Sequence, residues 1–321
     1  MRLARLLQAL TLLLAGGVIG ALALWLLAGA SVLLVLLALG IALLHVPVMA
    51  LEFGLLRWIN RGDAAPPASA LDMLRAWAAE ALGALRVFGW QQPWRWRRYA
   101  DHLPADAKGR RGLILVHGFV CNRGLWNPWW PRLRTAGVPC IAVNLEPVFG
   151  SIDRYPAVIE AAVQRMTQAT DRPPLLVAHS MGGLAVRAWL RAHDADARVH
   201  GVVTIGSPHH GTWLGRFGYA PNAQQMRWHS RWLLQLAAAE PAQRYRRFTC
   251  FWGHCDNIVL PASSATLPGA DNRHLRGHAH VHLLHHPQVL DTVLQRLAED
   301  EAQPAANSRS PGSTVPASIS A

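Results

Sequence analysis

A chain of 321 residues accommodates one sizeable domain with appendages. Its 31 Lys+Arg against 19 Asp+Glu give a formal charge of +12, which suits nucleic acid, an anionic membrane surface or an acidic substrate. No zinc-finger spacing or Lys/Arg block accompanies the charge, whereas long apolar runs and 14 Trp do, so nucleic acid is set aside in favour of anionic lipid. An arginine-rich composition inherited from a GC-rich genome would give the same excess. Cys121, Cys140, Cys250 and Cys255 are too few and scattered for a disulfide scaffold, and the Cys250 to Cys255 spacing does not match a zinc knuckle, so they are expected to be free thiols.

Residues 6–51 are almost wholly apolar, contain no Asp, Glu, Lys or Arg, and are interrupted at Gly29-Ala30-Ser31. The length predicts two membrane helices of ~20 residues each, with Gly16, Gly17 and Gly20 allowing close approach. Arg2 and Arg5 precede the first span and Arg57 and Arg61 follow the second, which predicts that both ends of a membrane-anchoring hairpin, 1–61, face the cytoplasm. The competing reading is a secretory signal cleaved at Ala28-Gly29-Ala30, although this apolar region exceeds the ~7 to 15 residues usual for one.

Residues 62–111 read as a linker and a juxtamembrane helix. Leu71, Leu74, Ala78, Ala81, Leu82 and Leu85 recur at helical spacing, with Asp72, Arg75, Glu80 and Arg86 elsewhere. The aromatics and arginines from Trp90 to Tyr99 suit a headgroup region, or alternatively pack on the domain that follows.

From 112 to 299, short β-branched runs alternate with helical stretches, the pattern of a parallel sheet covered by helices. Strands are expected at 113–116, 140–144, 175–178, 199–205 and 248–253, and helices at 126–136, 155–169, 181–193 and 287–297. Between 213 and 247 the rhythm stops and aromatics gather among helix formers, an insertion that reads as a lid, an acyl-chain wall or simply core. The Pro/Ser/Ala-rich stretch 300–321 is predicted to be disordered.

The strongest chemical signal is Leu175-Leu176-Val177-Ala178-His179-Ser180-Met181-Gly182-Gly183, a buried strand entering a helix through a tight turn flanked by small residues. It resembles the nucleophile elbow of α/β-hydrolases, in the Ala-x-Ser-x-Gly form of some bacterial lipases. Leu113-Ile114-Leu115-Val116-His117-Gly118-Phe119 is similar to the strand and turn that supply a second oxyanion-hole amide in lipases. By that match the backbone N–H groups of Phe119 and Met181 form the hole, and His117 packs the turn. A serine hydroxyl needs a base, and the base an orienting acid. The family order of Ser, acid, His points to Asp256, just past a strand in Trp252-Gly253-His254-Cys255-Asp256-Asn257, with Asp271 and Asp291 as alternatives.

Six histidines crowd 274–286, and the Gly-His-x-x-Leu-Leu pattern of similar lipases fits His280-Val281-His282-Leu283-Leu284, with Ala279 for the glycine and His278 next in line. His278, His280 and His282 would share a face if extended, but no carboxylate partner is evident, so no metal is expected. Gly206-Ser207-Pro208-His209-His210-Gly211-Thr212 looks like the segment that lines the nucleophile in lipases and inositol-acyl hydrolases.

The resemblance implies an α/β-hydrolase fold, a mostly parallel sheet flanked by helices, here preceded by two predicted transmembrane helices. It further implies a cofactor-free, lipase-like carboxylic ester hydrolase with an acyl ester or lipid substrate, which the apolar N-terminal region and its flanking arginines, outside the resemblance, place at a bacterial inner membrane with the catalytic domain cytoplasmic. An acyltransferase would use the same triad, and a catalytically silent membrane scaffold is the rival outside enzymes.

Overall fold

The computed structural model describes residues 1–299; the stretch expected to be disordered, 300–321, lies outside them. The first helix, α1 (Arg2–Ala28), stops at Gly29, whose φ of 66° makes a left-handed cap. Ser31 then caps α2 (Val32–Ala42) by accepting from the Leu33 N–H. This break falls where the sequence places it, and Gly16, Gly17 and Gly20 lie on the α1 side of the groove between the two helices.

The return arm departs from expectation. Helix α2 ends after 11 residues, and α3 (His45–Ile59) leaves it at a bend of 47°. Pro47 accounts for the break, because it has no N–H for the Leu43 carbonyl and its ring crowds that turn. Among the described residues only α1 is by itself long and apolar enough to cross a membrane, and the second of the two expected membrane helices is present only if the bent α2–α3 pair counts as one span.

Both ends of this assembly rest on the rest of the chain. Leu3, Ala4 and Leu7 are buried, the Arg2 N–H donates to Glu146 Oε1, and Gln8 Nε2 donates to the Pro93 carbonyl. At the other end Phe53 of α3 packs with Ala76, Cys255 and Ala279.

Helix α4 (Ala70–Ala84), N-capped by Ser69, turns its leucines outward: Leu71, Leu74 and Leu82 are exposed, while Ala76, Glu80 and Ala84 face the protein. Glu80, which the periodicity puts on the polar side, is 2% exposed. The helix continues through a π-helical stretch, Leu85–Gln91. Beyond it the aromatics divide: Trp90 and Trp94 are exposed, whereas Tyr99 stacks on Trp130.

The sheet consists of β1 (Leu113–Val116), β2 (Cys140–Ala142), β3 (Leu175–His179), β4 (Gly201–Ile205), β5 (Phe248–Trp252) and β6 (Asp271–His274). All neighbours are parallel, in the order β2-β1-β3-β4-β5-β6. The first five strands follow the apolar runs, because a parallel strand covered on both faces reads as continuously apolar. Strand β6, the polar Asp-Asn-Arg-His, escapes that criterion because it is a short, half-exposed edge.

Helices α5 (Trp130–Thr135), α6 (Pro156–Thr170), α7 (Met181–His193), α8 (Arg231–Ala238) and α9 (Pro287–Ala298) complete the unit. The two-residue period of the strands sorts the core. Ile114, Val116, Leu176 and Ala178 pack with Ile159 of α6 and Leu184 of α7, while Leu113, Leu115, Leu175 and Val177 pack with Leu133 of α5 and Val293 of α9. The helix expected from 126 begins only at Trp130, with Pro131 in its first turn and a 3-10 turn, Arg123–Trp126, before it.

The 213–247 insertion contains short helical pieces and α8, with Met226, Leu233 and Leu236 buried and Phe217, Tyr219 and Trp228 exposed. Its end is fixed on α7 by a fully buried ion pair between Arg187 and Glu240, which also accepts from Tyr245 Oη at 2.6 Å. All four cysteines are buried free thiols.

Candidate active site

Strand β3 delivers its last residue into a turn at Ser180, whose φ of 56° and ψ of −129° precede the first turn of α7. Two glycines make the turn sterically feasible. A Cβ at Gly182 would lie 2.6 Å from the Val116 carbonyl oxygen, and one at Gly118 would lie 2.7 Å from Ser180 Cβ. The backbone after β1 therefore runs against the serine at Gly118, the residue before Phe119, while Met181 opens α7 with its N–H at the positive end of the helix dipole.

Ser180, His280 and Asp256 form one hydrogen-bonded line. His280 Nδ1 lies 3.0 and 2.9 Å from the two Asp256 oxygens, and His280 Nε2 lies 2.9 Å from Ser180 Oγ. With a carboxylate as acceptor the proton sits on Nδ1, so Nε2 accepts from the hydroxyl. Burial disfavours the imidazolium, but the adjoining Asp256 charge, with Glu80 and Glu52 behind it, outweighs this and holds His280 above its ordinary range. Such a line can take a proton from the hydroxyl and stabilise the resulting cation.

Asp256 is fixed by its own loop: Oδ1 accepts from the Ile258 and Val259 N–H groups at 2.9 Å each. Thr212, the end of the Gly206 to Thr212 segment, donates to the Ile258 carbonyl and accepts from the Leu260 N–H. Ser207 is fully buried against Gly183.

The alternative residues lie elsewhere. Asp271 pairs with Arg273 on β6, and Asp291 pairs with Arg132 on the surface. His278 points its Nδ1 at the Arg276 carbonyl and its ring stacks on His282 at 4.4 Å. Among the described residues no three His, Cys, Asp or Glu side chains gather as a metal requires. His117 uses both ring nitrogens, donating from Nδ1 to the Gly118 carbonyl and accepting the Leu145 N–H at Nε2, and burial pushes it down to about 4. It is a neutral brace of the turn.

Several residues around the line have no motif to mark them. His179 is buried with its ring 4.7 Å from that of His280, and its Nε2 donates to the His280 carbonyl at 3.2 Å. Asn257 Oδ1 accepts the His280 N–H. Glu80 Oε1 and Oε2 accept the Val281 and His282 N–H groups. Gln92 holds the loop after β1, with Oε1 accepting the Asn122 N–H at 2.6 Å and its carbonyl accepting from Asn122 Nδ2. The signal that marks Glu80 is the small-residue spacing Ala76, Glu80, Ala84, a helix face made for close packing.

A cavity of about 1040 Å³ opens between the first turn of α1 and the 146–151 loop, lined by Arg2, Leu3, Leu6, Phe149 and Arg154 among others. Phe149 also meets Phe119 edge-on at 5.9 Å, so the wall of this cavity touches the turn beside Ser180.

A sequence profile for the alpha/beta hydrolase fold matches residues 113–220. No curated protein matches the chain by sequence. Among solved structures it resembles the mature Bacillus licheniformis lipase BlEst2 at 17% identity, covering 62% of this chain and 97% of that one, with a TM-score of 0.54. It also resembles Aspergillus fumigatus lipase B at 20% identity, covering 63% and 57% of the two chains, with a TM-score of 0.55. At such identities the likeness establishes the fold: a parallel sheet flanked by helices in the α/β-hydrolase arrangement.

Proposed function

We propose that this α/β-hydrolase is a membrane-tethered serine hydrolase that cleaves carboxylic esters of acyl or lipid type. The observation that carries the reading is the unbroken line from Asp256 through His280 to Ser180 Oγ at the end of β3. In the reaction His280 Nε2 takes the hydroxyl proton as Ser180 Oγ attacks the ester carbonyl, and Asp256 holds the imidazolium. The Phe119 and Met181 N–H groups stabilise the oxyanion, each worth ~2.7 to 4 kcal/mol in the transition state. Collapse expels the alcohol, protonated by His280. Water, activated by the same imidazole, then releases the acid and regenerates the hydroxyl.

The membrane part of the reading rests on the outward leucines of α1, α2 and α4. With the Arg2 end buried on the domain, residues 9–28 remain, about 30 Å of helix and enough to cross hydrocarbon. Since the start of α1 and the body of α3 both rest on the domain, the hairpin begins and ends on one side of the bilayer. Arg2, Arg5, Arg57 and Arg61 make that side the cytoplasmic face of a bacterial inner membrane, with anionic lipid beside it.

The test is fluorophosphonate labelling and ester hydrolysis by the detergent-solubilised full chain beside Ser180→Ala. The reading expects a labelled, active wild type and an unlabelled, inactive variant with unchanged thermal unfolding. An active Ser180→Ala protein would overturn it.

A further inference from the structure

The backbone around His280 is held by two carboxylates that lie outside the sheet. Glu80, from α4, accepts the Val281 N–H at 2.8 Å and the His282 N–H at 3.0 Å. Glu52, from α3, accepts from Asn257 Nδ2 at 2.6 Å, and Asn257 Oδ1 in turn accepts the His280 N–H at 3.3 Å. The peptides on both sides of the histidine are thus anchored to the helices that leave the membrane hairpin. A carboxylate taken fully out of water is an expensive way to satisfy two N–H groups that begin a 3-10 turn, a task that a serine or asparagine performs without charge. What an uncharged cap cannot supply is negative charge beside a histidine that becomes a cation during the reaction.

We infer that Glu80 and Glu52 are positioning residues for His280, through which the seating of the membrane-proximal helices α3 and α4 on the domain sets the competence of the base. The inference rests on the serine hydrolase reading above. His280 faces Asp256 and Ser180, the neutral ring of His179, and Asn257, with Glu80 and Glu52 beyond. Of these the two glutamates alone come from outside the sheet domain. Burial also raises the Glu80 carboxyl to about 7, and in its charged form it adds to the negative field that holds His280 above its ordinary range. The acid limb then reports the deprotonation of His280, with the charge of Glu80 setting its position.

The experiment is the pH dependence of kcat/KM for a soluble p-nitrophenyl ester, with the full chain in detergent micelles, for wild type, Glu80→Gln, Glu80→Ala and Glu52→Gln. Wild type is expected to show an acid limb set by His280. In Glu80→Gln the limb is displaced to lower pH, because His280 loses a stabilising negative neighbour. The plateau falls about tenfold through kcat with KM little changed, and Glu80→Ala, which retains no acceptor, falls further. Glu52→Gln moves the limb in the same direction by less.

A second readout does not depend on turnover: the downfield His280 Nδ1–H resonance, assigned by its loss in His280→Ala, should titrate at lower pH in both Gln variants. Limbs and resonance midpoints identical to wild type, or a uniform loss at every pH with unmoved midpoints, would overturn the inference. If Glu80 variants do not fold, Glu52→Gln decides by the same midpoints. A wild type that neither labels nor turns over would sink the hydrolase reading, while the resonance would still decide whether the glutamates act on His280.

Discussion

All four residues of β1 are buried, whereas in the N-terminal helices Leu13 is 72% exposed, Leu27 88% and Leu33 69%. Helix α4 stands between these regimes: it shows its leucines to the outside and its alanines and a glutamate to the protein. An apolar stripe therefore indicates the core only where the alternative neighbour is water. On the membrane reading proposed above the outward leucines go to lipid, and the face that meets protein is left to small residues packed closely and to polar groups with assigned partners.

The contrast is sharpest in the source of function. If the sheet region supplies the chemistry, His280→Ala should lower kcat/KM about as far as Ser180→Ala, on the order of 10⁶-fold, since triad members act as a unit. Asp256→Asn should cost ~10⁴-fold. His278→Ala and His282→Ala should stay within a few fold, because those rings stack on one another away from Ser180. An inactive His278→Ala beside an active His280→Ala would transfer the base to the neighbouring position.

If the N-terminal helices complete the site, a chain beginning at Gly112 should be far weaker than the full chain. Its loss of Glu80 and Gln92 strips partners from the Val281, His282 and Asn122 N–H groups, each worth ~1–3 kcal/mol if left buried. The expectation is aggregation or, in any soluble fraction, kcat/KM down about a hundredfold on the same soluble ester. Full activity in that chain would dissolve the distinction between a self-sufficient sheet and a completed one.

The smallest effect concerns the outer face of α4. Leu74→Ser with Leu82→Ser should leave thermal unfolding in detergent within ~0.5 kcal/mol, as exposed substitutions do. Turnover of an acyl ester presented in anionic vesicles should fall about tenfold, the equivalent of ~1.4 kcal/mol of lost insertion, with the soluble ester unaffected. A strongly destabilised double variant would mean that these leucines cover protein.

The sheet was legible because parallel strands buried on both faces write continuous apolar runs, and Ser180 because the elbow is local in sequence. Asp256 and His280 are 24 residues apart, and sequence points to them only through the resemblance to the Ser, acid, His order and the Gly-His-x-x-Leu-Leu pattern of similar lipases. Glu80 and Glu52 were not legible, because their partners lie about 200 residues away and a polar residue on a helix reads as solvent-facing until its neighbour is known. Hydropathy also hid Pro47, since a proline inside an apolar run hardly lowers the mean while it removes a helical hydrogen bond.

The backbone at Ser180 has a thermodynamic consequence of its own. A side chain at a φ of 56° with ψ of −129° occupies a region that only glycine visits freely, at ~1–3 kcal/mol for any other residue. Ser180→Ala keeps that penalty and removes only the hydroxyl, whereas Ser180→Gly relieves it. The glycine variant should therefore be inactive and yet melt several degrees above both wild type and the alanine variant, less whatever unfolded-state freedom glycine adds. Stability and the proposed reactivity pull in opposite directions at this single residue, and selection for the most durable fold alone would replace the serine.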